Sequence, residues 1–187
     1  MDVKDAIEGR RSYRAFQPFE VKEGLILDLV KSARLAPSCY NNQPWRYVFV
    51  YDPETLKRLH TALSPGNEWA KSGSMIAVVF SRKEDDSVMA DREYHQFDIG
   101  LATAFIILRA TELGLVAHPI AGYSPEKVAE VLGIPKEYII IALVIFGKHT
   151  DKLPDFFSEK QKEAERKRPP RKPIDEIVYL NTYTQRT

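Results

Sequence analysis

Apolar residues recur along this chain in two rhythms, and the changes of rhythm mark its elements. Val3, Ala6 and Ile7 share one helical face, with Asp2 placed to cap the start and Gly9 to stop the turn. Residues 20–35 repeat that spacing: Leu25, Leu29 and Ala33 form a stripe, Ile26 and Val30 flank it, and Pro37 forbids continuation. RYVFVY at 46–51 predicts a strand, and Pro53 opens a helix over 53–63. MIAVVF at 75–80 is apolar without alternation, which predicts a strand buried on both faces. The longest helix is predicted from about 91 to 114, and IGLATAFIIL within it is apolar nearly all round. Such a helix belongs at the centre of a protein or in a subunit interface. A short strand at 115–120 follows, then a helix begun by Ser124 and Pro125 and ended by Gly133, then the strongly apolar strand YIIIALVIF at 138–146. After Gly147 the character changes. Residues 159–172 carry seven basic and three acidic side chains, a pattern common to solvated helix faces and flexible arms, and 177–184 reads as an extended tail. This order predicts an α+β fold with a central mixed β-sheet flanked by helices. It reads as a single domain over 1–187 with an extended C-terminal arm from about 150.

Composition narrows the function classes. A chain of 187 residues, 44% hydrophobic, supports one substantial core. Twenty-seven Lys and Arg against 26 Asp and Glu leave a formal charge of +1, so any positive site is local and a nucleic-acid coat is not expected. One cysteine, Cys39, excludes an internal disulfide framework and fits a reducing compartment. The charged start and the lack of an apolar run of ~18–20 residues predict a cytoplasmic protein without a membrane span. His60, His95, His118 and His149 are scattered without metal-ligand spacing, so no metal is expected. The glycines do not assemble into G-x-G-x-x-G, and a Rossmann site is not supported.

Two clusters carry candidate chemistry. EGRRSYRAF at 8–16 places Arg10, Arg11, Ser12 and Arg14 together with no acid among them, directly after a helix-ending glycine. Guanidinium groups pair with phosphate oxygens and a hydroxyl adds a donor, although a solvated basic turn has the same composition. APSCYNNQPW at 36–45 is a loop confined by Pro37 and Pro44 that offers Ser38, Asn41, Asn42 and Gln43. Uncharged donors and acceptors on a fixed loop suit the edge of a planar heterocycle. Cys39 lies in that loop, and a lone thiol without a paired histidine motif is not read as a nucleophile.

Taken together, RRSYR, APSCYNNQPWRYVFV, FDIGLATAFIILRATELGLVAHPIAGY (97–123) and RKPIDEIVY (171–179) resemble the nitroreductase family of FMN-dependent oxidoreductases. The resemblance implies a homodimeric nitroreductase fold with FMN at the interface. Arg10, Arg11, Ser12 and Arg14 then match the residues on the phosphate and the polar edge of the isoalloxazine. Pro37, Ser38, Cys39 and Asn41 match a loop that closes over FMN from the partner subunit, with Gln43 bracing it. Asn67 resembles a flavin-contacting asparagine, with Lys71 close by. Ala121 and Gly122 match the segment whose amide faces flavin N5, and Arg171 matches a C-terminal phosphate contact, with Arg168 and Lys172 as the alternatives. The implied reaction takes hydride from NAD(P)H onto FMN and passes it to a nitroaromatic, quinone or similar planar acceptor. FMN carries that chemistry, so no catalytic side chain is assigned. The compact segment 81–94 predicts a lightly covered site with broad acceptor tolerance. A family member that binds flavin without reductase turnover is the main alternative. A nucleic-acid-binding module is a weaker one.

Overall fold

A computed structural model of the chain describes residues 1–183, so the end of the expected tail and arm lies outside the described residues. The helices are α1 (Val3–Gly9), α2 (Glu23–Ala33), α3 (Pro53–Leu59), α4 (His95–Glu112), α5 (Pro125–Leu132) and α6 (Glu159–Arg166). The strands are β1 (Phe16–Gln17), β2 (Arg46–Val50), β3 (Met75–Ser81), β4 (Val88–Met89), β5 (Arg92–Glu93), β6 (Val116–Ile120) and β7 (Ile139–His149). Local chemistry sets several boundaries. Asp2, Asp52 and Ser124 each accept the backbone N–H three residues on, and Gly133 ends α5 at φ +66°. The helix expected from 91 begins at His95 instead. Residues 88–93 have no apolar stripe and form the β4–β5 hairpin, turned at Ala90 with φ +57°.

β7 is the hub of the sheet. One edge pairs with β3, which pairs in turn with β2; the other edge pairs with β6 over Leu143–Gly147 and then with β1 at Lys148 and His149. The α+β layering is as expected, but the sheet is not mixed. Every pairing among the described residues is antiparallel. β7 also runs three residues past the expected strand, because Gly147, Lys148 and His149 end its apolar run without ending its pairing. Gly147 permits the β1 crossing: a Cβ there would sit 2.3 Å from the Phe16 ring.

All seven residues of β3 are buried, as its unbroken apolar run predicts. Ile76, Val78 and Phe80 join Leu143, Ile145 and Trp69 on the face covered by α3 and α5. Met75, Ala77 and Val79 join Val144, Phe146, Leu29 and Ile106 on the face covered by α2 and α4. The inner stripe of α4 is fully enclosed, whereas Phe97 and Phe105 on its other side are exposed. After β7 the chain turns back. Phe157 plugs into the first core cluster, and α6 starts at Ser158 with a reciprocal capping box to Gln161. Residues 170–183 lie exposed on the surface. No helix among the described residues is long and apolar enough to cross a membrane.

Candidate functional site

The return of α6 encloses a cavity of about 500 Å³ against the segment that follows α1. Arg10, Arg11, Ser12, Arg14, Asn67 and Arg171, all singled out in the sequence, line it. Arg168, the alternative to Arg171, lines it too, as do Lys160, Ser158 and Gln161, which sequence reasoning did not place there. Their run looks like a solvated face because its cationic partners lie some 150 residues upstream. Among the described residues the lining holds five guanidiniums and one ammonium and no carboxylate.

The guanidiniums divide by task. Arg11 donates to the carbonyls of Ala164 (2.7 Å) and Glu165 (3.1 Å), capping the last turn of α6, and covers the Tyr13 ring at 4.4 Å. Arg168 donates to the carbonyls of Glu8 and Arg10. Arg10 reaches only as far as the Ser12 hydroxyl, at 3.0 Å, and Arg14 lies over the Trp69 ring at 5.7 Å. Burial, and then the charges of Arg168 and Arg171, press the Arg10 guanidinium below its ordinary pKa. Cations held this close without a counter-charge form a receptor for a polyanion such as a phosphate group.

Behind the arginine segment lies a neutral histidine. His118 on β6 donates from Nδ1 to the Tyr13 carbonyl (2.9 Å), and its ring lies 4.5 Å from that of Trp69. Burial, reinforced by Arg14 and Arg10, lowers its pKa from 6.5 to about 4, against the opposing pull of the Tyr13 carbonyl. A depressed histidine keeps the native state neutral while the unfolded chain protonates. Stability is therefore lost as pH falls from about 6.5 toward 4. By pH 4.5 this group accounts for about 2–3 kcal/mol of acid destabilisation. His118→Asn should remove that share, read as a smaller difference between urea unfolding free energies at about pH 7.5 and 4.5.

Asn67 sits where the cavity meets the end of β6. Its Nδ2 donates to the Gly122 carbonyl (2.9 Å) and its Oδ1 accepts from Trp69 Nε1 (3.2 Å). Gly122 is required for this contact, because a Cβ there would lie 2.3 Å from Asn67 Nδ2. Ala121 and Gly122 thus border the cavity through Asn67 without lining it. Lys71 is exposed and outside the lining, close enough to His60 and Glu68 to perturb both.

Pro37, Ser38, Cys39 and Asn41 are not brought to this cavity. Pro37, Ser38 and Cys39 open instead onto a shallow recess with Phe97, Asp98 and Leu101 of α4. Their loop is nonetheless built with care. The Cys39 N–H donates to the buried Asp98 carboxylate (2.6 Å), Gln43 donates to the Ser38 hydroxyl and the Asn41 carbonyl, and Asn42 reaches Asp86. Gln43 thus braces the loop, as expected of it. Burial, and the nearby Asp86 carboxylate, raise the Asp98 pKa against the Cys39 N–H bond. Tyr40, Asn41 and Gln43 take φ of +48°, +59° and +52°. Three left-handed residues other than glycine in four positions are costly backbone of the kind that accumulates at functional sites.

The model of the nitroreductase family matches residues 7–68 and 60–148. A Thermus thermophilus protein named NADH dehydrogenase is 30% identical over 178 residues, spanning 79% of this chain and 86% of that protein. A solved structure described as an oxidoreductase containing FMN superposes with a TM-score of 0.85 at 29% identity, covering 100% of this chain and 95% of that one. A nitroreductase family protein from Clostridium difficile 630 shares the fold, with a TM-score of 0.80 at 23% identity over 98% of this chain and 100% of that one. With the arginine-bearing segment, the central helix and all but the last residue of the hub strand inside the matched residues, this chain belongs to the nitroreductase family.

Proposed function

We propose that this protein is an FMN-dependent oxidoreductase that draws reducing equivalents from NAD(P)H and passes them to a small planar acceptor such as a nitroaromatic or a quinone. The observation that carries the reading is the acid-free cavity, where Arg10, Arg14 and Arg171 converge on space of the size and charge that a phosphate tail needs. FMN, when bound, supplies hydride acceptance and hydride donation. The chain's own residues hold and orient it. Arg10, Arg14 and Arg171 neutralise the phosphate, and Ser12 adds a hydroxyl donor. Asn67, fixed by Trp69 and Gly122, stands at the cavity edge, and in this reading the neighbouring backbone of 121–122 would offer an amide to a group that gains negative charge.

The working unit is a homodimer in this reading. The strained loop bearing Pro37, Ser38, Cys39 and Asn41 lies away from its own chain's cavity beside the exposed apolar face of α4, a position suited to closing over the site of a second copy. The anaerobic visible spectrum of the FMN-reconstituted protein tests the activity. Bleaching of the flavin band on addition of NADH or NADPH is expected, followed by reoxidation with a nitroaromatic or a quinone. Bound flavin that stays oxidised with both donors would favour a non-reductive role, and failure to bind FMN would remove the reading altogether.

A further inference from the structure

We propose that Glu165, on α6, is a positioning residue that locks the arginine segment into its anion-receiving shape. Docking of the 150–171 strap and capture of a phosphate-bearing ligand are then a single coupled equilibrium. The proposal rests on the cofactor reading of the cavity given above.

Glu165 is an unusual residue for a helix in a basic run. Its side chain is only 2% exposed. Oε1 accepts the Arg14 N–H at 2.7 Å, and Oε2 lies 3.4 Å from the Ala15 nitrogen and 3.6 Å from His149 Nε2. A carboxylate removed from water in this way is tolerated only because polar hydrogens face it. The contact is answered from the other side, where Arg11 donates to the carbonyls of Ala164 and Glu165, and Arg168 donates to those of Glu8 and Arg10. These bonds stitch residues 8–15 to 164–168. From the sheet side the same segment is held by His118 at the Tyr13 carbonyl. Glu165 is not part of the cavity lining, so its charge closes the segment without filling the socket.

One force opposes this closure. The strap delivers Arg168 and Arg171 to Arg10, and each lowers the readiness of Arg10 to carry its charge. No acid in the lining relieves the crowding. A bound phosphate dianion converts that repulsion into attraction for all three guanidiniums, and therefore favours the docked strap. By linkage, whatever docks the strap raises phosphate affinity by the same factor. A flavin without the phosphate occupies the ring portion of the site and leaves the repulsion in place.

Hydrogen exchange on the wild-type protein tests the coupling directly. Saturating FMN should slow amide exchange across 150–171 and 10–15 by about tenfold or more, and inorganic phosphate alone should reproduce part of that protection. Saturating riboflavin should leave the strap unprotected. Glu165→Gln supplies a second readout, the ratio of FMN to riboflavin affinity, which should fall about tenfold through loss of FMN binding alone. Tight FMN binding with unchanged exchange across 150–171 would overturn the proposal. So would equal weakening of both flavins by Glu165→Gln, since that marks a merely structural residue. If that variant fails to fold, the wild-type exchange comparison decides by itself. A wild-type protein that binds no FMN gives a different result, one that removes the cofactor reading itself.

Discussion

Replacing Arg10 and Arg171 together by alanine should weaken FMN binding about 100-fold or more while leaving riboflavin binding within about twofold. Among the described residues the Arg10 guanidinium donates to Ser12 alone and Arg171 lines the same cavity, so neither guanidinium is a brace of the kind that Arg11 and Arg168 supply. Hydrogen bonds from an ionised donor to phosphate are among the strong ones, and losing two of them accounts for a change of this size. The native protein gains from the substitution, because removing two crowded cations relieves the pressure that holds Arg10 below its ordinary pKa. Unfolding free energy should therefore stay level or rise in the flavin-free protein while affinity collapses. Flavin fluorescence titration at low and high salt checks the assignment. The wild type should lose FMN affinity as salt rises, and the double variant, with fewer cations in the cavity, should show a shallower dependence. Wild-type FMN affinity in the double variant would show that the cavity holds something else.

The largest loss of stability is expected from Trp69→Ala, at about 3–5 kcal/mol, or a fall in melting temperature on the order of 10 °C. Trp69 is 1% exposed, meets Phe16 edge-on at 5.8 Å and lies against His118 at 4.5 Å. Its removal leaves a cavity under the arginine segment and frees Asn67 Oδ1, which accepts from Trp69 Nε1. Asn67 also holds Gly122, so damage should spread to the end of β6 before the rest of the sheet opens. Tyr40→Ala is the control: its ring is 80% exposed, and stability should change by less than about 0.5 kcal/mol. Urea unfolding of the three proteins separates the outcomes, and a Trp69→Ala loss below about 1 kcal/mol would show that this corner repacks freely.

What the sequence made legible is what local chemistry determines. Asp2, Ser124 and Gly133 announce helix ends because a cap needs only its own few neighbours. The apolar run at 75–80 states its burial because both faces of β3 are covered. The arginines at 10–14 could be read from the absence of nearby acids. Pairing direction could not, because each strand carries its own rhythm and not that of its neighbour; hence the sheet taken as mixed is antiparallel. The last three residues of β7 were hidden for a similar reason, being polar in sequence yet paired with β1 and β6. Glu165 was illegible because the backbone groups it accepts from lie 150 and 151 residues away, and nothing in a basic helical run distinguishes a buried carboxylate from a solvated one. The Pro37–Pro44 loop gave up its constraint but not its form: Gln43 takes φ +52° where a following proline favours extended backbone.

The stitching between residues 8–15 and 164–168 also orders events during synthesis. Arg11 leaves the ribosome 153 residues ahead of Ala164, and Arg10 leaves 158 ahead of Arg168. β1, likewise, waits for His149. Contacts this distant in sequence form late, after the local helices and the β2–β3 pairing are in place. For most of its time on the ribosome the nascent chain therefore carries the arginines at 10–14 without the segment that braces them. On the reading proposed above, tight FMN binding becomes a certificate of length, one that a truncated product ending before Arg171 presents only weakly.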